Sequence, residues 1–141
     1  MNPYLIPAMK TLTINKQLSD ISMPEQIISI VTSYFCEHTP MNIRFPNIQP
    51  KQLGELVKSS TRKRDIIQAR FTICYFMKEI FDLPLKSIGL ILGKRDHSSI
   101  IHAISTYSND VYTGSLNFKR HEDICQLLAV DNKIEQIKRN R

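Results

Sequence analysis

Glycine is scarce in this chain, and closely spaced cysteines and long apolar runs are missing. The 141 residues include four glycines and three cysteines. No apolar run approaches the roughly 18 residues that a membrane span needs, and the first ten residues lack the basic and apolar regions of a signal peptide. Cys36, Cys74 and Cys125 lie far apart in apolar surroundings. We therefore expect reduced core thiols in a cytoplasmic protein without a membrane partner.

The same scarcity argues against nucleotide and metal chemistry. Gly89 to Lys94 has a superficial likeness to a phosphate-binding loop, but the spacing is too short and Arg95 stands where Ser or Thr is required. His97 and His102 are not at the one-turn spacing that places two metal ligands on one helical face, and no Cys-x-x-Cys is present. We predict no cofactor, no metal, no small-molecule substrate and no enzymatic activity.

Positive charge is concentrated in the middle of the chain. The net charge is +6, and residues 58–97 carry nine basic and four acidic side chains, whereas residues 1–57 carry four of each. The phosphate backbone of a nucleic acid is the natural complement of such a patch. A solvated basic face would have the same composition, so charge alone leaves both interpretations open.

Apolar side chains recur at helical spacing, and no segment alternates as a strand does. The sequence predicts six helices in this region. The first begins at Ser22–Glu25, the second includes residues 53–57, and the third follows a cap at Asp65. The other three cover Leu85–Leu92, Asp96 to Ser108, and Lys119 to Ala129. Residues 39–50 and 109–117 are predicted to be a loop and a turn. We interpret residues 1–21 as a flexible lead-in, 22–130 as one all-α domain, and 131–141 as a basic C-terminal helix or tail.

Residues 85–108 have the order of parts of a helix-turn-helix. A short apolar helix ends near Leu92, Gly93 suits the left-handed residue that follows a helix, and a second helix starts at Asp96. At about 100° per residue, the second helix places Ile100, Ala103, Ile104 and Tyr107 on one side and Ser98, Ile101, His102 and Ser105 on the other. The side chains of the second set are short and mostly polar, so the backbone of this helix can approach a base pair closely. The sequence predicts an all-α helix bundle that contains a helix-turn-helix.

The start of the second helix carries groups that can hydrogen-bond to base edges in a major groove. Asp96 can accept from a cytosine amino group or cap the helix, and the sequence leaves both roles open. The histidines and the two hydroxyls can donate or accept, and the preceding arginine is placed for a phosphate or a guanine. The candidate base contacts are Arg95, Asp96, His97, Ser98, Ser99 and His102.

The stretch from Ile88 to Ala103 resembles the signature of the C-terminal DNA-binding domain (domain IV) of the bacterial replication initiator DnaA, a Trp-repressor-like helix-turn-helix. The matching residues are Ile88-Gly89, Leu92-Gly93, Arg95, Asp96-His97, Ser98-Ser99, Ile100-Ile101 and His102-Ala103. The resemblance covers roughly residues 24–128. It implies that the chain binds double-stranded DNA at a DnaA-box-like site, in replication initiation or its regulation. It also implies association with the nucleoid and with replication proteins.

The resemblance extends to a basic loop before the long helix, which in this family supplies an arginine to the minor groove. It places Arg62, Lys63, Arg64, Arg70, Lys78 and Lys94 at the minor groove or the phosphate backbone. Arg62 is the best match to the minor-groove arginine, and Gln68 replaces a further family arginine. The family's ATPase needs a phosphate-binding loop that this sequence lacks, so we expect a DNA-reading module without a motor.

Two other functions remain open from the sequence. A protein-interaction adaptor could keep this fold after losing the ability to read bases. A transcriptional regulator could use the same helix on an unrelated DNA site. Binding to a DnaA-box duplex and to a scrambled duplex would separate these alternatives.

Overall fold

A computed structural model describes residues 23–38, 47–114 and 118–128. The predictions for residues 1–21, 39–46 and 131–141 lie outside this part of the chain. Over the described ranges the protein has six helices and no strand, which confirms the all-α class. The helices are α1 (Met23–His38), α2 (Pro50–Lys58), α3 (Arg64–Phe81), α4 (Leu85–Ile91), α5 (His97–Thr113) and α6 (Phe118–Leu127).

The long helix α3 lies at the centre and packs against α1, α2, α4 and α5. Its buried face includes Ile66, Ala69, Ile73 and Met77, which have no exposed surface. Their spacing of three or four residues puts them on one side of the helix. Each large aliphatic side chain buried in this way contributes about 1.5–3 kcal/mol. This core holds the helix-turn-helix, formed by α4 and α5, against α3.

The turn of the helix-turn-helix depends on close approach of backbone segments. Gly93 adopts a left-handed conformation with φ of 92°, as the sequence predicts. A Cβ atom at this position would overlap the backbone carbonyl oxygen of Lys58, at the end of α2. Lys94 is also left-handed, with φ of 61°. The turn between α4 and α5 is therefore fitted directly against the C-terminal end of α2.

Two predicted boundaries are wrong. The turn predicted from residue 109 begins only at Gly114 (φ 83°), because Val111 continues the buried stripe of α5 and keeps the chain helical through Thr113. The long helix begins at Arg64, before the cap predicted at Asp65. Asp65 instead lies in the first turn of α3, where a negative charge interacts favourably with the helix dipole.

The three cysteines are free thiols in the described part of the chain. Cys74 and Cys125 are buried and Cys36 is half-buried, so the predicted core environment is confirmed. Burial raises the pKa of the Cys74 thiol to about 12. No described helix has both the length and the apolar character required to cross a bilayer.

Candidate nucleic-acid interface

The start of α5 is fixed by a side-chain cap. Asp96 is the N-cap residue, and its Oδ1 atom accepts a hydrogen bond from the backbone N–H of Ser99 at 2.8 Å. This backbone hydrogen bond is the main reason that the pKa of the Asp96 carboxyl lies below its ordinary value. Of the two roles that the sequence allows for Asp96, the structure shows the capping role.

The outward face of α5 carries most of the candidate base contacts. In the first half of the helix, its exposed residues are His97, Ser98, Ser99, Ile101, His102 and Ser105. Ile100, Ala103 and Tyr107 point into the core, so the predicted orientation of the helix is confirmed. The ring of His102 meets the ring of Phe71 from α3 edge-on, with 5.9 Å between centroids. That contact limits the positions available to the imidazole.

Ile101 lies on this surface but is not among the candidate contacts predicted from the sequence. Its side chain is 46% exposed in the middle of an otherwise polar face. An exposed aliphatic group there can meet the methyl group of a thymine. The signal for this contact in the sequence is an isoleucine at a position that the helical projection places on the outward side of α5.

The basic loop lies between α2 and α3. Arg62, Lys63 and Arg64 are all exposed, and Arg64 is already the first residue of α3. Short side chains shape the loop: the N–H of Thr61 donates to Ser59 Oγ at 3.3 Å, and the N–H of Lys63 donates to Thr61 Oγ1 at 3.4 Å. The loop therefore presents its cations from a locally hydrogen-bonded backbone.

A cleft of about 560 Å³ joins the basic loop to α5. Arg62 lines it from the loop, Arg70 from α3, and Arg95, Ser98 and His102 from the helix-turn-helix. The structure thus brings the predicted minor-groove residue and several predicted base contacts to one surface. Of the predicted backbone contacts, Lys78 forms a 2.7 Å ion pair with Asp82, and neither Lys78 nor Lys94 lines the cleft.

Arg70 is not a surface cation. Its side chain is 5% exposed, and Nε donates to the carbonyl oxygen of Val57 at 2.8 Å. Nη2 donates to the carbonyl oxygens of Leu56, Ser59 and Thr61 at 3.4, 3.0 and 3.1 Å. Burial, with a smaller contribution from nearby Arg95, lowers the pKa of Arg70 to about 10. The guanidinium ties the end of α2 to the basic loop, a geometry that differs from the phosphate contact expected from the resemblance.

Arg95 also donates to backbone carbonyls. Its Nε donates to Leu92 at 2.9 Å, and its Nη2 donates to Ser59. The Ser59 carbonyl oxygen therefore accepts from both Arg70 and Arg95. This shared acceptor connects the basic loop to the turn of the helix-turn-helix.

The cleft offers positive charge, hydroxyl and imidazole groups, and an aliphatic side chain nearby. The arginines that line it form none of the ion pairs found among the described residues. Within those residues, no group of three His, Cys, Asp or Glu side chains could hold a metal ion. These groups are chemically suited to an anionic ligand that also forms hydrogen bonds.

Comparison with known proteins identifies the same region. The family model for the bacterial dnaA protein helix-turn-helix matches residues 47–106. The chromosomal replication initiator protein DnaA of Ureaplasma parvum is 39% identical over 82 residues, which are 58% of this chain and 15% of that protein. DnaA of Flavobacterium psychrophilum is 37% identical over 76 residues, covering 54% of this chain and 16% of that protein.

A third relative aligns over a larger share of the chain. DnaA of Streptococcus agalactiae is 30% identical over 103 residues, which are 72% of this chain and 22% of that protein. The chain therefore spans less than a quarter of the length of these relatives. No solved structure matches the chain. Residues 47–106, which include α4 and the first part of α5, are therefore similar to the helix-turn-helix of bacterial DnaA proteins.

Proposed function

We propose that this protein binds double-stranded DNA sequence-specifically at a DnaA-box-like site. One observation carries the proposal: the exposed polar face of α5 and the exposed basic loop border a single cleft. A recognition helix in the major groove, with basic residues on the adjoining backbone or minor groove, is a common way for a helix-turn-helix domain to engage a duplex.

The residues divide into those that read bases and those that attract phosphate. His97, Ser98, Ser99 and His102 face the major groove in this proposal, and Ile101 meets a thymine methyl. Asp96 keeps α5 capped, which leaves its second carboxylate oxygen for a cytosine amino group.

The basic loop supplies the second contact. Arg62 enters the minor groove, and Lys63, Arg64 and Lys94 strengthen binding through the phosphates, without sequence preference. Arg95 contacts the duplex at the edge of the cleft while its Nε and Nη2 hold the turn. Arg70 and Lys78 lie further from the duplex in this arrangement.

We place this activity in the initiation of chromosomal replication or in its regulation, as the names of the relatives suggest. We further propose that the domain has no ATPase activity of its own. The glycines that superficially resemble a phosphate-binding loop support this, because Gly89 lies inside α4 and Gly93 in the turn of the helix-turn-helix.

Fluorescence anisotropy with a DnaA-box duplex and a scrambled duplex, each at two salt concentrations, tests the proposal. We expect tighter binding to the box at both salt concentrations, and weaker binding to both duplexes at the higher salt. Equal weak binding to both duplexes would refute sequence-specific reading. Absence of binding to either duplex would favour the protein-interaction adaptor.

Variants test the assignment of the two contact regions. His97→Ala should lose about 1–3 kcal/mol of discrimination at particular base pairs. Arg62→Ala should weaken binding chiefly where the minor groove is narrow and A·T-rich. Lys119→Ala is the control for charge, because Lys119 lies on α6 and pairs with Asp123 at 3.5 Å. A uniform loss with His97→Ala on all duplexes would show that α5 presents another face to DNA.

A further inference from the structure

We propose that Arg70 is a positioning residue, whose guanidinium holds the basic loop against the helix-turn-helix so that the loop and α5 meet one duplex at a fixed spacing. This inference rests on the proposed DNA binding but adds a residue that contacts no DNA. It also reassigns Arg70 from the phosphate contact that the family resemblance implies.

The first support is the direction of the Arg70 hydrogen bonds. All of its carbonyl acceptors lie between residues 56 and 61, across the last turn of α2 and the first half of the basic loop. Four carbonyls gathered by one planar guanidinium define the path of the backbone, because the fork of donors is rigid. The last of these acceptors, Thr61, directly precedes Arg62.

The second support is that the same segment is attached to the helix-turn-helix. Arg95, which directly precedes the N-cap of α5, donates to the Ser59 carbonyl oxygen that Arg70 also binds. Gly93 in the turn packs so closely on the Lys58 carbonyl oxygen that no Cβ atom fits between them. The chain from α2 to Arg62 is therefore held on one side by Arg70 and on the other by the turn before α5.

The third support is that Arg70 has the surroundings of an internal cation. At 5% exposure, with its pKa lowered chiefly by desolvation, the guanidinium uses backbone carbonyls instead of an acidic side chain. The carbonyls at the end of a helix carry partial negative charge, so the C-terminal end of α2 suits a buried cation. A residue engaged in this way acts on DNA through the loop that it shapes.

The functional consequence follows from preorganisation. Two contacts on one rigid frame bind cooperatively, because forming one holds the other at a high effective concentration. A loop freed from Arg70 would have to be ordered during binding, and Arg62 would contribute less to affinity. The contribution of Arg62 should therefore depend on the presence of an arginine at position 70.

A double-mutant cycle on the complete 141-residue chain tests this dependence. Dissociation constants for the DnaA-box duplex are measured for the wild type, Arg62→Ala, Arg70→Lys and the double variant. Lysine keeps the positive charge but lacks the planar fork. We expect Arg62→Ala to weaken binding about tenfold in the wild type, as for a single good contact. In the Arg70→Lys background it should weaken binding by less than about threefold, because the loop is no longer held.

Tyr34→Phe is the matched background control. It removes a partly buried structural hydrogen bond, from Tyr34 Oη to Asp123 Oδ2 at 2.8 Å, where α1 meets α6. If a general loss of stability reduced the contribution of Arg62, it would do so in both the Arg70→Lys and the Tyr34→Phe backgrounds. The positioning role instead requires that Arg62→Ala weakens DNA binding in Tyr34→Phe as much as in the wild type. An equal effect of Arg62→Ala in the wild type and in Arg70→Lys would overturn the positioning role.

A second variant covers the case in which Arg70→Lys fails to fold. One glycine inserted between Ser60 and Thr61 leaves Arg70 in place and moves Arg62 out of register, and it should reduce the Arg62 contribution in the same way. If the wild type binds box and scrambled duplexes equally, the specific-reading proposal fails, and the same cycle on either duplex still decides the role of Arg70. Absence of binding to any duplex would refute both proposals.

Discussion

Among the residues that the structure describes, two arginines are buried, and they are buried in different ways. Arg70 is 5% exposed and Arg120 is 9% exposed, and burial lowers the pKa of both guanidinium groups. Arg70 donates to four backbone carbonyls beside the proposed DNA interface. Arg120, on α6, has its guanidinium carbon 4.9 Å from the ring centroid of Phe35, and its buried Nε and Nη2 atoms have no hydrogen-bond partner among the described residues.

The neighbourhoods of the two arginines differ accordingly. Around Arg70 the backbone itself is the binding partner, and the segment it holds carries Arg62. Around Arg120 the packing is aromatic: His121 stacks on Phe76 with 5.5 Å between ring centroids and lies 2.7 Å from the Tyr107 hydroxyl through Nδ1. The comparison shows that burial alone does not define the role of an arginine. The hydrogen-bond partners do, since they determine what moves when the residue is removed.

Replacing each arginine by methionine should give the largest difference in the free energy of unfolding between the two regions. Arg70→Met leaves several backbone carbonyls without donors and should lower the free energy of unfolding by about 3 kcal/mol. Arg120→Met removes a charge that lacks hydrogen bonds at Nε and Nη2, so it should change the free energy of unfolding by less than about 1 kcal/mol. Urea unfolding of both variants measures the difference. Equal losses would show that the guanidinium of Arg120 is as strongly bound as that of Arg70.

Glycine substitutions provide the next test, with one glycine in each region. Gly93→Ala combines a left-handed backbone with overlap of Cβ and the Lys58 carbonyl, and should destabilise the protein by about 2–3 kcal/mol. Gly114→Ala has a similar φ of 83° but open space around the new methyl group, and should lose only about 1 kcal/mol. Urea unfolding compares the two. If Gly114→Ala lowers the free energy of unfolding as much as Gly93→Ala does, the close approach of Gly93 to α2 does not add to the cost of substituting Gly93.

The sequence predicts the orientation of α5 but not the role of Arg70, for a physical reason. The outward face of α5 follows from local periodicity, which depends only on the helix itself. The carbonyl partners of Arg70 lie 9–14 residues earlier in the chain, and no local pattern encodes such a tertiary contact. The one available signal was an arginine placed among the apolar residues of a central helix.

The misplaced end of α5 has a related cause. Asn109 and Asp110 have low helix propensity and suggested a turn. Val111, with no exposed surface, outweighs them by continuing the buried stripe. Local propensity is a weak guide where a following residue can still be packed into the core, and the helix therefore continues to Thr113 and is followed by Gly114.

High pH should destabilise the protein through Tyr34, where α1 meets α6. Burial and the hydrogen bond to Asp123 raise the pKa of Tyr34 to about 12. The unfolded chain loses the Tyr34 proton from about pH 10 upward, whereas the folded protein keeps it, so stability present below pH 10 is lost as the pH rises. Urea midpoints between pH 8 and 11 should fall more steeply for the wild type than for Tyr34→Phe. Parallel curves would show that Tyr34 ionises equally in both states.

Low pH should weaken the Asp96 cap of α5 in the interface region. The expected loss of stability is the smallest of those predicted here, because Asp96 is on the surface. The pKa of Asp96 is lowered in the folded protein, so the stabilisation by its cap is complete above the unfolded pKa and is lost as the pH falls through the folded value. The amide resonance of Ser99, which donates to this carboxylate, should shift as the pH falls through the lowered pKa of Asp96. Asp96→Asn keeps a capping oxygen without a titrating group, so its Ser99 amide should not move over the same range. A Ser99 amide that titrates identically in both proteins would assign the acid response to another group and would leave the Asp96 cap without a measurable electrostatic role.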